Sequence, residues 1–252
     1  MPGRGSFRIV MFMSMFTAVT CATTACGGGS DNPQESRSVT PPTASTGPTA
    51  SATPTTSATT PAPQTFRSEI TKVTAADLKY SWRQGCPVAP SGLRMLKMTY
   101  WGMDDKTHLD GRLVVNATAA RDLIKVFQRL YDIRYPISRM EPVDRYKGSD
   151  FDSIEANNTS AFNCRNATGS SSFSQHAYGL ALDLNPCENP YVYADGRIAH
   201  QGCTKYKNRR SRAPGVIHAG DKVVKAFASI GWGWGGEWSG AKDYQHFSSS
   251  EH

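Results

Sequence analysis

The sequence has no Cys-x-x-Cys pair, no His-Glu-x-x-His and no Gly-x-Ser-x-Gly. The first absence argues against a cysteine-held zinc, the second against a thermolysin-type site and the third against a serine hydrolase of the common kind. No internal repeat is visible, which removes solenoids and propellers. Beyond the first twenty or so residues no apolar run approaches the length that spans a bilayer. Basic charge is also thinly spread: Lys and Arg total 28 against 21 acids, a net +7. The densest basic run, KYKNRRSR at residues 205–212, reads as a solvated loop, with contact to an anionic wall polymer as a second reading. Nucleic acid is not indicated as a partner.

What is present begins with a leader. Arg4 and Arg8 precede a short apolar stretch at 9–19 and then small residues, the layout of a secretory signal peptide. Losing both arginines with residues 1–25 lowers the +7 to +5, a modest basicity suited to an anionic cell surface. The stretch TTACGGGS resembles a bacterial lipoprotein signal, with Cys26 as the acylated first mature residue. Thr23 stands where such signals usually carry Leu, and Cys21 is an alternative anchor; free secretion is the other reading. Residues 26–66 are almost entirely Gly, Ser, Thr, Pro and Ala, too poor in apolar side chains to fold. Such a tether spans roughly 35 Å as a coil and up to about 120 Å as polyproline II. The expectation is an exported protein whose only membrane contact is its lipid anchor.

Residues 67–252 form the folded domain, with the monomer as the default state. Strands are expected at 93–102 and 111–116, with MDDKTHLDG as the turn between them, and PISRMEPV is a shorter candidate. Ala120, Leu123, Ile124, Phe127, Leu130 and Tyr131 recur at helical spacing before Pro136. A second helix is expected around Val223, Val224, Phe227 and Ile230, stopped by Gly231. The pattern is α+β, a small mostly antiparallel sheet with a few packed helices. Cys86, Cys164, Cys187 and Cys203 remain beyond the leader, an even number that favours disulfides in an exported protein. Three pairings are possible; Cys187–Cys203 would clip one polar loop, and Cys86–Cys164 would then tie the start of the domain to its middle.

The chemistry concentrates in SQHAYGLALDLNP (174–186) and KDYQHFS (242–248). On a strand LALDLN, alternation sends Leu180, Leu182 and Leu184 to the core and Asp183 to the opposite, polar face. His176 in the preceding loop and His246 on a C-terminal strand can join Asp183 as two imidazoles and a carboxylate. That is a ligand set for a catalytic zinc with the fourth position left to water. Asp243, three residues before His246, is expected in the turn entering that strand, where it could serve as general base without ligating. Arg165 is the first choice for a cation facing an oxyanion or substrate carboxylate, and Arg139 the second. Trp234 and Trp238 are candidates for the wall of a substrate groove. Gly231, Gly233 and Gly236 spell Gly-x-Gly-x-x-Gly, but they follow a helix and lead to Trp238, which is the wrong context for a dinucleotide. His108, His200 and His218 lie in turn-like sequence outside the set.

These two segments, with the Trp/Gly-rich GWGWGGEWSG before the second, resemble the VanY-like zinc peptidases of bacterial walls. The family pattern is Ser-x-His-x-x-Gly-x-Ala-x-Asp and then an acidic residue three before a final His. Ser174, His176, Gly179, Ala181, Asp183, Asp243 and His246 match it, and GCPV and NNTSAFNCR extend the likeness over most of 80–249. The resemblance implies a Hedgehog/DD-peptidase-like fold. It implies one zinc on His176, Asp183 and His246, Asp243 as catalytic acid/base, and peptidoglycan stem peptides as substrate. Asp at position 243 fits the subgroup that contains L-alanyl-D-glutamate endopeptidases, with D-alanyl-D-alanine carboxypeptidase activity as the alternative. A zinc-containing wall-binding module without turnover is the rival from another class.

Overall fold

The computed structural model describes residues 65–250; the leader, Cys26 and nearly all of the tether lie outside them. Strand β1 (Ser68–Lys72) pairs antiparallel with β2 (Leu93–Gly102), which pairs antiparallel with β3 (Thr107–Asn116). Strand β2 has the bounds expected from its composition. Strand β3 starts earlier than expected, since Thr107 and His108 pair with Trp101 and Tyr100 and leave only 103–106 as the turn. Helix α1 (Ala120–Asp132) follows and buries Leu123, Val126, Phe127 and Leu130, while Ile124 is only partly covered. The expected strand over PISRMEPV shrinks to β4 (Pro136–Ile137), parallel to the end of β2, and a 3-10 turn takes over at Val143–Tyr146.

The hairpin is covered on both faces, as the period of two requires. Leu96, Met98, Leu113 and Val115 pack with α1, whereas Leu93, Met95 and Val114 pack with Leu78 and Phe162 on the other side. Phe66, which composition assigns to the tether, packs on Tyr131 with ring centroids 5.7 Å apart.

The rest of the domain carries short elements: α2 (Asp150–Glu155), β5 (Ala181–Asp183), β6 (Tyr191–Val192), α3 (Lys222–Ala228), β7 (Gly233–Trp234), β8 (Lys242–Asp243) and β9 (His246–Ser248). Strands β5, β9 and β7 make one sheet in that order, and β6 pairs with β8. Asp221 caps α3 by accepting from Val223 N and Val224 N, and Gly231 follows in a left-handed conformation. The architecture is α+β with small, mostly antiparallel sheets and few helices. Disulfides join Cys86 to Cys164 and Cys187 to Cys203. In the chain-entropy account a bridge closing a loop of the shorter kind is worth roughly 3 kcal/mol.

Phe247 links the site sheet to the core. It is fully buried, and its ring stacks on Phe227 of α3 at 3.9 Å. Phe247→Ala is expected to cost about 3–5 kcal/mol, read as a lower urea midpoint with an unchanged slope.

Candidate metal centre and cleft

His176 sits in a 3-10 turn, Gln175–Tyr178, whose Ser174 side chain accepts from His176 N. Gly179 closes the turn at φ +65, and a Cβ there would stand 2.6 Å from Asn116 N. Both the left-handed backbone and the close approach to β3 therefore call for glycine. The spacing between His176 and Asp183 is the length of this capped turn plus strand β5.

Asp183 and His246 are brought together by register. They are direct partners in the antiparallel β5–β9 pair, and opposite residues share a face. Phe247 and Leu182, one step along, face the core instead. The polar face of β5 differs from the expectation in one respect: it is not open. Asp183 is 3% exposed, and Ala181 and Asn185 are fully buried, because Ser160 bridges Asp183 on the free edge of β5.

The three side chains converge. His176 Nε2 lies 3.2 Å from His246 Nδ1 and 3.2 Å from Asp183 Oδ2, and His246 Nδ1 lies 3.1 Å from Asp183 Oδ1. His176 Nδ1 is 2.6 Å from the Ala161 carbonyl, which can only accept. That nitrogen therefore carries the proton, and in the neutral ring the Nε2 lone pair points into the cluster. Ligand atoms held tetrahedrally at about 2.0–2.1 Å from zinc stand about 3.3 Å apart, so these separations fit such an ion. Burial by itself would raise the Asp183 carboxyl, but the charge of His176 and hydrogen bonds from both imidazoles outweigh it. Asp183 is held well below the usual carboxylate range. His176 is held above its ordinary value, since Asp183 outweighs the downward push of burial.

Asp243 stands beside this cluster on β8, opposite Tyr191 of β6 and not in a turn; the turn falls at 244–245. Its Oδ1 is buried without a hydrogen-bond partner among the described residues. Burial first, and the Asp183 charge next, push its carboxyl up to about 7. A bound dication would draw it back down. Gly235 makes the position possible, because a Cβ there would meet Asp243 O at 2.5 Å.

A cleft of about 240 Å³ opens on the cluster, lined by Arg165, Phe173, His176, Tyr191, Trp238, Asp243 and His246 among others. The structure thus brings together His176, Asp183, His246 and Asp243, with Arg165 and Trp238 on the wall. Trp238 packs 5.3 Å from the His246 ring. Two candidates are displaced. Arg139 is not on the cleft wall; its guanidinium is half exposed and faces Glu141 at 3.8 Å. Trp234 is core, 5% exposed, with Nε1 donating to Tyr244 O, because alternation along β7 turns it inward. In the basic loop Lys205, Lys207, Arg210 and Arg212 are exposed, as a solvated loop requires, and Arg209 is the exception. Arg209 is tied down by the carbonyls of Glu188 and Ile217 and lies 4.3 Å over the Tyr244 ring. His108, His200 and His218 are engaged elsewhere, with Asp104, Glu155 and the Arg209 carbonyl respectively. Sequence reading missed Tyr191, Phe173 and the Ala161 carbonyl. A backbone acceptor has no signature in residue type, and nothing in NPYVY marks its first tyrosine.

Two imidazoles and a carboxylate so placed could hold a metal ion, and a second carboxylate, Asp243, lines the cleft beside them. Residues 168–249 match the model of a peptidase family described as D-alanyl-D-alanine carboxypeptidase. The match holds about a third of the chain, includes all four of these residues, and supports the family likeness read from the motifs. No curated protein and no solved structure matches the chain.

Proposed function

We propose that the protein is a zinc metallopeptidase that cleaves peptidoglycan stem peptides outside the cytoplasmic membrane. The observation that carries this reading is the convergence of His176 Nε2, Asp183 and His246 Nδ1 beside an unpaired Asp243 carboxylate. These three residues would hold the ion. When bound, zinc supplies Lewis acidity and makes water nucleophilic near neutral pH. Asp243 accepts a proton from the attacking water and returns one to the leaving amine. Arg165 faces the negative charge of the substrate, either its carboxylate or the developing oxyanion. Trp238 and Tyr191 border the peptide. The Ala161 carbonyl holds the His176 ring in the tautomer that ligates.

Asp at position 243 favours L-alanyl-D-glutamate endopeptidase activity, and the description of the matching family favours removal of a terminal D-alanine. Export is supported by the two disulfides and by the leader pattern, with Cys26 as lipid anchor and residues 26–66 as tether. The test is mass spectrometry of stem peptides incubated with the full chain, with and without a zinc chelator. Chelator-sensitive release between L-alanine and D-glutamate is the expected result. Chelator-sensitive loss of terminal D-alanine would make it the carboxypeptidase. A chain that holds zinc and cuts no stem peptide would be a binding module.

A further inference from the structure

Arg165 is anchored on several sides. Cys164 before it is bonded to Cys86, Cys164 N donates to Ser81 O, and Arg165 O accepts from Ser174 N. Its side chain is held as well: Nε lies 2.9 Å from Asp150 Oδ1, and Nη1 donates to Asn166 O at 3.2 Å. The Nε–H is not aimed along the first contact, so Asp150 acts as a charge held against the guanidinium instead of a linear acceptor. Nη2 makes no hydrogen bond among the described residues. Asp150 is the first residue of α2, directly after Ser149, whose side chain accepts from Asp152 N. It is not among the residues that line the cleft, whereas Arg165 is.

We propose that Asp150 is a positioning residue for Arg165. It holds the guanidinium on the cleft wall with one edge left for an anionic group of the substrate. An arginine free to rotate loses side-chain freedom each time it binds an anion, and one already held loses little. Arg139 shows the contrast: its partner Glu141 is 3.8 Å away and its side chain is half exposed. Asp150 also lowers the net charge beside the centre, so Arg165 adds direction without adding a full unpaired cation. The identity of the anion rests on the peptidase reading, whereas the ion pair stands without it.

Two measurements test the proposal and separate its failure from that of the peptidase reading. The first needs no ligand. Nitrogen-15 relaxation at Arg165 Nε should report an ordered side chain in the full chain, a mobile one in Asp150→Asn, and an ordered one again in Asp150→Glu. A side chain equally ordered in Asp150→Asn would overturn the proposal whatever the protein cleaves. The second is a cycle of Asp150→Asn, Arg165→Ala and the double variant, assayed on a stem pentapeptide at equal metal content. Asp150→Asn should cost about tenfold in the same parameter, KM or kcat, that Arg165→Ala moves. It should cost nothing further in the Arg165→Ala background, and Asp150→Glu should recover to within about threefold of the parent. Equal losses in both backgrounds, or a loss in the other parameter, would mark Asp150 as merely structural. If no stem peptide is cut, the peptidase reading fails, and the relaxation experiment alone decides the pairing.

Discussion

Asp243→Asn is expected to keep the metal and lose cleavage by about 10²–10⁴-fold. The asparagine amide is nearly the same size, so the fit against Gly235, where a Cβ would come within 2.5 Å of Asp243 O, is preserved. What disappears is the ability to take and return a proton. The surroundings of Asp243 suit proton transfer, since it is buried, its Oδ1 has no partner among the described residues, and its carboxyl is pushed up to about 7. A carboxylate meant to stabilise the fold would be paired, because a buried unpaired acceptor costs stability. Metal content by atomic absorption and peptide cleavage by mass spectrometry, on the same preparation, decide the matter. Unchanged cleavage would remove Asp243 from the chemistry. Loss of both metal and cleavage would make it a structural support of the centre.

Asp183→Ala should empty the centre. Bound metal after dialysis should fall from about one ion per chain to near zero, and cleavage should fall with it. Asp183 supplies the only anionic group of the three, with Oδ1 3.1 Å from His246 Nδ1 and Oδ2 3.2 Å from His176 Nε2. Two neutral imidazoles alone leave the charge of a dication uncompensated in a largely buried site. The alanine fits sterically on β5, between Leu182 and Leu184, so the strand pairing with β9 should persist and circular dichroism should change little. An Asp183→Ala chain that retains metal and activity would reduce the three residues to a hydrogen-bonded cluster. The two experiments separate roles: one carboxylate should govern rate at constant metal, the other should govern metal itself.

Much of this was legible before the fold. Helices α1 and α3 follow from apolar period and stop signals, because each buries one face, and strand β2 from its nearly continuous apolar and aromatic run, which is covered on both faces. The hairpin turn was overestimated, since Asp104, Asp105, Asp110 and Gly111 on either side of Thr107 and His108 are poor strand residues. Pairing with Trp101 and Tyr100, and the 5.0 Å stacking of Tyr100 on His108, outweighs that local preference. The candidate strand at 136–143 shrank to two residues because its partner, β2, ends at Gly102.

The chain by itself determined which residue types could meet: His176 and Asp183 are tied by a capped turn and a short strand, and Asp243 and His246 by three residues. Those separations are covalent, so they survive without knowledge of the fold. Only the tertiary structure decided what depends on distances between remote segments. It selected Arg165 over Arg139 for the cleft wall, sent Trp234 to the core while Trp238 stayed at the cleft, and closed the second face of β5 with Ser160. It paired Cys86 with Cys164, and placed a backbone carbonyl, Ala161, behind His176. None of these has a period or a motif, because each is set by the packing of elements far apart in the chain, and the site's electrostatics follow from that packing.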